Sequence, residues 1–476
     1  MTSLLLCLGI SFPSSFLPAS LQEEPPHPWT ILIYGAADNN ADGHMLDFLN
    51  GIRAAVADDP GLQLVLFIDR HTGFSSDAAT LGENFTDARL YLLHEKTAER
   101  LDGGAEFPEI TLHSTYEADS SDPENLRKFI AFSKRRFPAR SYGLVIYGHA
   151  DGMTMCPDEQ CHRQMGIAEL TEKVTEEESV DFMALELCNM GGVEIAYQWR
   201  PGNGGFSTEI LVAIPNAGPP LDWHRIFARI HGRGHPTAAG RTDCIDPVEM
   251  SARDFGLLAV EEGGRGRLQA AAEHPEEAAR ESVGAYDLLA VEQVKQAVDD
   301  LARELAGGNT KDLFEELRGP GPRGTVMNYV RDRFGERPYV DLYDLLKRAA
   351  ECDELDAEAR EAARAAMEKT DDLVLASFGM SGYPGFEPGK NGVFIVFPDG
   401  DQTERRLFAA DSRLWQRMDW YLPHGFKRDG ASLGSWAWCR DGATAGNSIV
   451  ENWFELLDSW FDDSSKDPEG LNSYAW

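Results

Sequence analysis

Cys188 and His149 are the two side chains whose types and settings allow covalent chemistry. Cys188 lies in Asp181–Arg200, DFMALELCNMGGVEIAYQWR. There an apolar run, Phe182–Leu185, has the length of a buried strand. Glu186 interrupts it, Cys188 ends it, Gly191-Gly192 turn the chain, and Val193, Ile195, Ala196 and Tyr197 open a helical pattern. His149 closes a second buried-strand pattern, Ser141–Tyr147, followed by Gly148-His149-Ala150-Asp151-Gly152. Neighbouring parallel strands would bring both residues to one sheet edge, where open α/β sheets bind ligands. A thiol beside an imidazole is the minimal nucleophile and general-base pair, the imidazole later protonating the leaving amine. Single cysteines mostly pack, and a histidine at a strand end is usually just hydrogen-bonded. The matching placement of the two is what argues for chemistry.

The blocks YGHADG and ELCNMGGVEIAY resemble the histidine and cysteine motifs of the clostripain family of cysteine peptidases. WTILIYGAADNN (Trp29–Asn40) is similar to that family's first strand, and Asp122–Leu126 to the segment before its histidine strand. Weaker landmarks follow at Tyr339–Tyr343, Asn391–Pro398 and Leu414-Trp415, so the resemblance runs from about Trp29 to about Leu422. It implies a caspase-like α/β core: a doubly wound, mostly parallel sheet flanked by helices, with a mixed α/β carboxyl-terminal region.

The resemblance also implies roles. Cys188 attacks the scissile carbonyl and His149 moves the proton. The oxyanion hole comes from the backbone amides of Cys188 and Ala150. Ala150 stands where the family usually has glycine, and Asn189 where it has leucine. Such peptidases cut after arginine or lysine, using acids at the base of the specificity pocket. Glu186 matches one such position, and on a strand it points to the same side as Cys188. Ile214-Pro215-Asn216 replaces the usual acidic sequence, so the second contribution is expected near Asn216 or from Asp222. Family members are often matured by a cut between histidine and cysteine. Here the polar loop Asp151–Gln164 offers Arg163. The chemistry requires no cofactor, no metal-binding residue set stands out, and calcium is compatible with the charge. The rival of another class is a catalytically silent caspase-like domain that binds peptides or protein partners.

The elements that must position these residues follow in order. Residues 1–21 read as a signal peptide, implying export, and 22–28 as a Pro-rich tether. The catalytic core is expected over 29–230, with strands at Thr30–Ala36, Leu62–Asp69, the histidine and cysteine strands, and Ile210–Ile214. Helices alternate with them, the pattern of a doubly wound sheet. Residues 231–285, glycine- and arginine-rich around Gly263–Arg267, read as a flexible connection around a short helix, Val248–Val260. A helix over Tyr286–Leu305 opens the region 286–422, where Val374–Phe378 and Gly392–Phe397 are expected to pair as strands. The end of the chain, 423–476, is Trp-rich.

The 476 residues are 42% hydrophobic, enough for a large core, and carry a net charge of −35. That charge argues against nucleic acid and anionic membranes as partners and for peptide or protein substrates. No later run reaches the roughly 20 apolar residues of a membrane span. Seven cysteines leave an odd number once Cys7 and Cys188 are set aside, so the chain is no disulfide scaffold. Cys156 and Cys161 could close a small loop, or with His162 invite zinc or redox chemistry.

Overall fold

The computed structural model describes residues 27–56, 61–232, 243–273, 280–307, 310–318, 325–332, 335–336, 338–397, 436–444, 447 and 449–461. The expected signal peptide and Leu414-Trp415 lie outside them. Strands β1 (His27–Ala37), β2 (Leu62–Arg70), β3 (Ala88–Leu93), β4 (Ala98–Leu101) and β5 (Ala139–Tyr147) come first. After a hairpin of β6 (Thr154–Asp158) and β7 (Arg163–Gly166) come β8 (Val180–Glu186), β9 (Thr208–Ala213) and β10 (Ser282–Asp287). Short strands β11 (Arg331–Asp332), β12 (Gly335–Glu336) and β13 (Tyr339–Asp341) precede β14 (Val374–Gly379) and β15 (Phe394–Val396). Nine strands form one sheet in the order β14-β10-β9-β8-β5-β1-β2-β3-β4. The central five, β9-β8-β5-β1-β2, are parallel. Both flanks are antiparallel. The expected mixed α/β class and mostly parallel sheet are present.

Central strands are apolar on both faces because helices cover both. One face packs Leu144, Ile146, Met183 and Leu185 beneath α2 (Pro123–Arg136), α3 (Ile167–Lys173), α4 (Val193–Gln198) and α7 (Val291–Ala306). The other packs Val145, Tyr147, Phe182 and Ala184 beneath α1 (Asp42–Val56), α5 (Trp223–Phe227) and α6 (Ala252–Glu273). Helix α2 starts as its sequence demands: Asp122 caps the Glu124 amide at 2.9 Å and Pro123 takes a first-turn position. Two-residue periodicity puts position 149 on the side of Val145 and Tyr147, and position 188 on that of Ala184 and Glu186.

Beyond residue 230 the structure corrects the sequence reading. The span expected to be a flexible connection holds α6, a 22-residue helix that runs straight through Gly263–Arg267. Its glycines serve close approach: a Cβ at Gly263 would lie 2.7 Å from Leu221, and one at Gly264 2.9 Å from the Phe378 ring. Residues 282–285, placed in the flexible connection, and Tyr286 and Asp287, placed at the start of a helix, together form β10 of the main sheet, and the helix begins at Val291. The expected strand pair does not form. Val374–Gly379 pairs with β10, whereas Phe394–Val396 pairs with Tyr339–Asp341. The catalytic core therefore does not close at residue 230. After α8 (Lys311–Arg318), α9 (Leu342–Ala350) and α10 (Ala357–Leu373), the chain returns in α11 (Ala437–Arg440) and α12 (Trp453–Phe461). Trp436, Trp438 and Trp453 are buried in the main core rather than in an extension. His27 and Pro28, assigned to a tether, already belong to β1.

Candidate active site

Tyr147 of β5 is registered against Glu186 of β8, so both strands stop at the same level. Two residues further along each chain lie His149 and Cys188, and both line one cavity of about 450 Å³. It opens where strand order reverses between β1 and β5, the switch point of an open α/β sheet. The α1 helix contributes His44, Asp47 and Phe48, and the segment Gly218–His224 lines the cavity too. Both key residues are half-buried, and Cys188 Sγ lies 4.0 Å from the Gly218 carbonyl oxygen.

The turn after Cys188 is tightly determined. Asn189 adopts φ 62°, a left-handed conformation asparagine tolerates better than leucine would. Its amide donates to Asn216 O and that of Met190 to Ile214 O, both at 2.9 Å. Gly191 and Gly192 admit neighbours that a side chain would exclude. A Cβ on the first would meet the Tyr286 hydroxyl at 2.7 Å, and on the second the Phe394 ring at 2.6 Å. The amide of Phe394 bonds Gly191 O at 2.9 Å, so β15 braces the turn.

His149 is held from two sides. Its backbone carbonyl accepts from the Cys156 amide at 2.9 Å, and Nε2 lies 2.7 Å from Asn40 Oδ1. An acceptor there fixes the Nε2–H tautomer and leaves Nδ1 free to take a proton. Burial lowers the imidazole pKa; Glu159 opposes this and His44 adds to it. Asn40, the side chain that meets the imidazole, was passed over by the sequence reading as part of a turn. Ala150 bridges Met155, and the bonds on either side, Cys156 N to His149 O and Asp151 N to Thr154 O, leave its own amide outside the hairpin ladder. Tyr339 donates to Asp151 O at 2.7 Å and steadies this loop.

Glu186 lines the cavity and is buried, 5% exposed. Its oxygens accept from the Leu221 amide and Trp223 Nε1, each at 2.7 Å. Burial raises its pKa, offset by these bonds and by Arg267. Asp222 stands exposed at the cavity wall and caps α5 through the Arg225 amide. Asn216 does not line the cavity; its Oδ1 accepts from the amide and hydroxyl of Ser282, both at 2.8 Å. Asp47 does line it, on a helix where sequence alone gave no reason to single it out. Cys156 and Cys161 are free thiols, the first buried in the core and the second exposed, so the expected loop bridge is absent. Burial raises both pKa values, that of Cys161 to about 12 with Asp158 and Asp119 adding to it. Arg163 does not sit in an open loop: it begins β7 and pairs with Asp119 at 3.0 Å and Glu169 at 3.1 Å.

Residues 33–460 match the clostripain family. Clostripain of Hathewaya histolytica is 35% identical over 477 residues, covering 94% of this chain and 89% of its own. Among solved structures, an inactive zymogen C11 protease of Parabacteroides distasonis superposes with a TM-score of 0.51 at 17% identity, covering 79% of this chain and 93% of that one. A secreted C11 cysteine protease of Bacteroides thetaiotaomicron, in complex with an irreversible peptide inhibitor, gives 0.52 at 16% identity, covering 79% and 94%. The fold and these relatives define a cysteine peptidase, a hydrolase acting on peptide bonds that needs no cofactor for its chemistry. The chain belongs to the clostripain family.

Proposed function

We propose that this chain is an exported endopeptidase that works through a Cys188/His149 dyad and cuts after arginine or lysine. Cys188 Sγ attacks the carbonyl carbon while His149 Nδ1 takes the thiol proton and then delivers it to the departing amine. Water afterwards hydrolyses the thioester with the same imidazole as base. The amides of Cys188 and Ala150 are the donors for the oxyanion. The observation that carries the reading is the shared cavity, lined by the half-buried His149 and Cys188 and by the buried Glu186.

The preference for basic residues rests on three acids along that cavity: Glu186, Asp47 and Asp222. Arg267, the cation near Glu186, is itself paired with Glu281, so it is not a dedicated counterion for Glu186. Asn216 has no part in this reading. Maturation by self-cleavage after Arg163 belongs to it, and requires the β6–β7 hairpin to open. Export rests on the reading of residues 1–21, which lie outside the described residues. Among those described, no helix is long and apolar enough to cross a membrane.

The test is labelling with arginyl and lysyl acyloxymethyl ketones beside peptide hydrolysis. Wild type should be labelled on Cys188 and active. Cys188→Ala and His149→Ala should lose roughly four or more orders of magnitude in kcat while keeping their fold. Full activity in Cys188→Ala would end the dyad reading, and a folded wild type that resists every label would favour a silent binding domain.

A further inference from the structure

Glu194 stands in the first turn of α4, shortly after Cys188, and the catalytic scheme leaves it without a part. It is 0% exposed. Its Oε1 accepts from the Val396 amide at 2.7 Å, and its Oε2 has no hydrogen-bond partner. A carboxyl group buried in this way is expensive, above all as an anion. Burial pushes its pKa up to about 8, opposed by the bonds from Val396 and from its own backbone amide. At neutral pH it is therefore an uncharged acid whose one bond reaches a distant strand.

The geometry of that strand explains the bond. Gly192 bridges Phe394 of β15 in parallel, and the Phe394 amide donates to Gly191 O at 2.9 Å. In a parallel ladder the next amide of β15 to bond on this side is that of Val396, and its partner would be the Val193 carbonyl. Helix α4 begins at Val193 and ends the ladder there. Glu194 supplies the acceptor that the helix has withdrawn. Its other oxygen lies against the turn itself, since a Cβ on Gly192 would stand 3.3 Å from Oε2. Val396 is held from elsewhere as well: it pairs with Tyr339 of β13, and its carbonyl accepts from Trp453 Nε1 at 3.1 Å.

We propose that Glu194 is a positioning residue for Cys188, fastening the start of α4 to β15 and so holding the turn that follows the nucleophile. The proposal rests on the reading of Cys188 as that nucleophile. Removing the side chain leaves the buried Val396 amide without its acceptor and frees the turn on the side of Gly192. A displacement of about 1 Å at a reacting atom costs roughly a hundredfold in rate. Because the carboxyl acts uncharged, an amide of the same length can replace it, whereas a carboxyl one methylene shorter cannot reach.

The experiment compares full-length Glu194→Gln, Glu194→Asp and Glu194→Ala with wild type on one peptide substrate. Active sites are counted with the acyloxymethyl ketone that labels Cys188, and thermal midpoints set a temperature at which every variant is folded. Glu194→Ala and Glu194→Asp should lower kcat per labelled site roughly ten- to a hundredfold, with KM within about threefold of wild type. Glu194→Gln should keep most of the rate. A merely structural acid would lower the midpoint of Glu194→Ala and leave kcat per labelled site unchanged. That result, a loss confined to KM, or equal losses in the Gln and Ala variants overturns the proposal. If Glu194→Ala does not fold, the Gln and Asp variants decide: a much faster Gln variant supports the proposal and equal rates overturn it. Cys188→Ala, run beside them, keeps the two readings apart. Activity remaining there overturns the dyad, while an inert Cys188→Ala beside a full-rate Glu194→Ala overturns only the role of Glu194.

Discussion

His149 Nε2 and Asn40 Oδ1 stand 2.7 Å apart, although 109 residues separate them in the chain. The contact joins the ends of β1 and β5 and chooses the imidazole tautomer. Asn40→Ala should lower kcat about 10- to 100-fold, equivalent to about 1.4–2.7 kcal/mol, with KM little changed. Asn40→Asp keeps the acceptor oxygen and should recover most of the rate. Equal losses in both variants, or a loss confined to KM, would contradict a positioning role.

Glu186 is expected to decide the preference for basic residues. Glu186→Gln removes its charge while keeping its size. It should cost roughly ten- to a hundredfold in kcat/KM on Arg and Lys substrates, the worth of a charge-assisted bond of about 1.5–3 kcal/mol. Alanine substrates should be nearly unaffected. Asp47→Asn and Asp222→Asn, both at exposed positions, should each cost only a few-fold, because water screens them. If Glu186→Gln slows Arg and Ala substrates alike, its bonds to Leu221 and Trp223 are its whole role.

The acid limb of the rate profile follows from the surroundings of His149. The neutral imidazole is the base, so kcat/KM falls as pH drops through its pKa. Burial holds that pKa below the ordinary 6.5, and the limb should lie below 6.5 as well. His44 lowers the value, so His44→Gln should move the limb to higher pH. Glu159 raises it, so Glu159→Gln should move the limb to lower pH. A profile that stays put in both variants would show that the limb reports another group.

Cleavage after Arg163 should leave a new amino terminus at Gln164 in wild type and none in Cys188→Ala. The hairpin and the ion pairs to Asp119 and Glu169 oppose the cut, so Asp119→Asn should speed it. Amino-terminal sequencing of the fragments over time checks this. An enzyme that is fully active as one uncut chain would show that activation needs no such step.

The strands carrying Cys188 and His149 were legible because apolar runs of strand length end at punctuating glycines. Glu186 was singled out by the family resemblance, and its two-residue offset put it on the side of Cys188. Asn40 and Asp47 were not, since each gains meaning only when separate segments meet. The glycines of α6 misled for a related reason. In sequence Gly263-Gly264 signals looseness, whereas in the fold it lets the helix press against Leu221 and Phe378. Strand β10 was hidden because its first four residues were read with the connection before it and Tyr286 and Asp287 with the helix after it.

The bracing of the Cys188 turn by β15 also sets a timetable. A ribosome delivers both reactive side chains before residue 190. The Phe394 ring that packs on Gly192, and the Tyr339 hydroxyl that holds Asp151, come some 150 to 200 residues later. The tryptophans that seal the core come later still. A half-made chain thus carries the thiol and the imidazole without the scaffold that aligns them, so the order of synthesis itself withholds the assembled site until the chain is nearly complete.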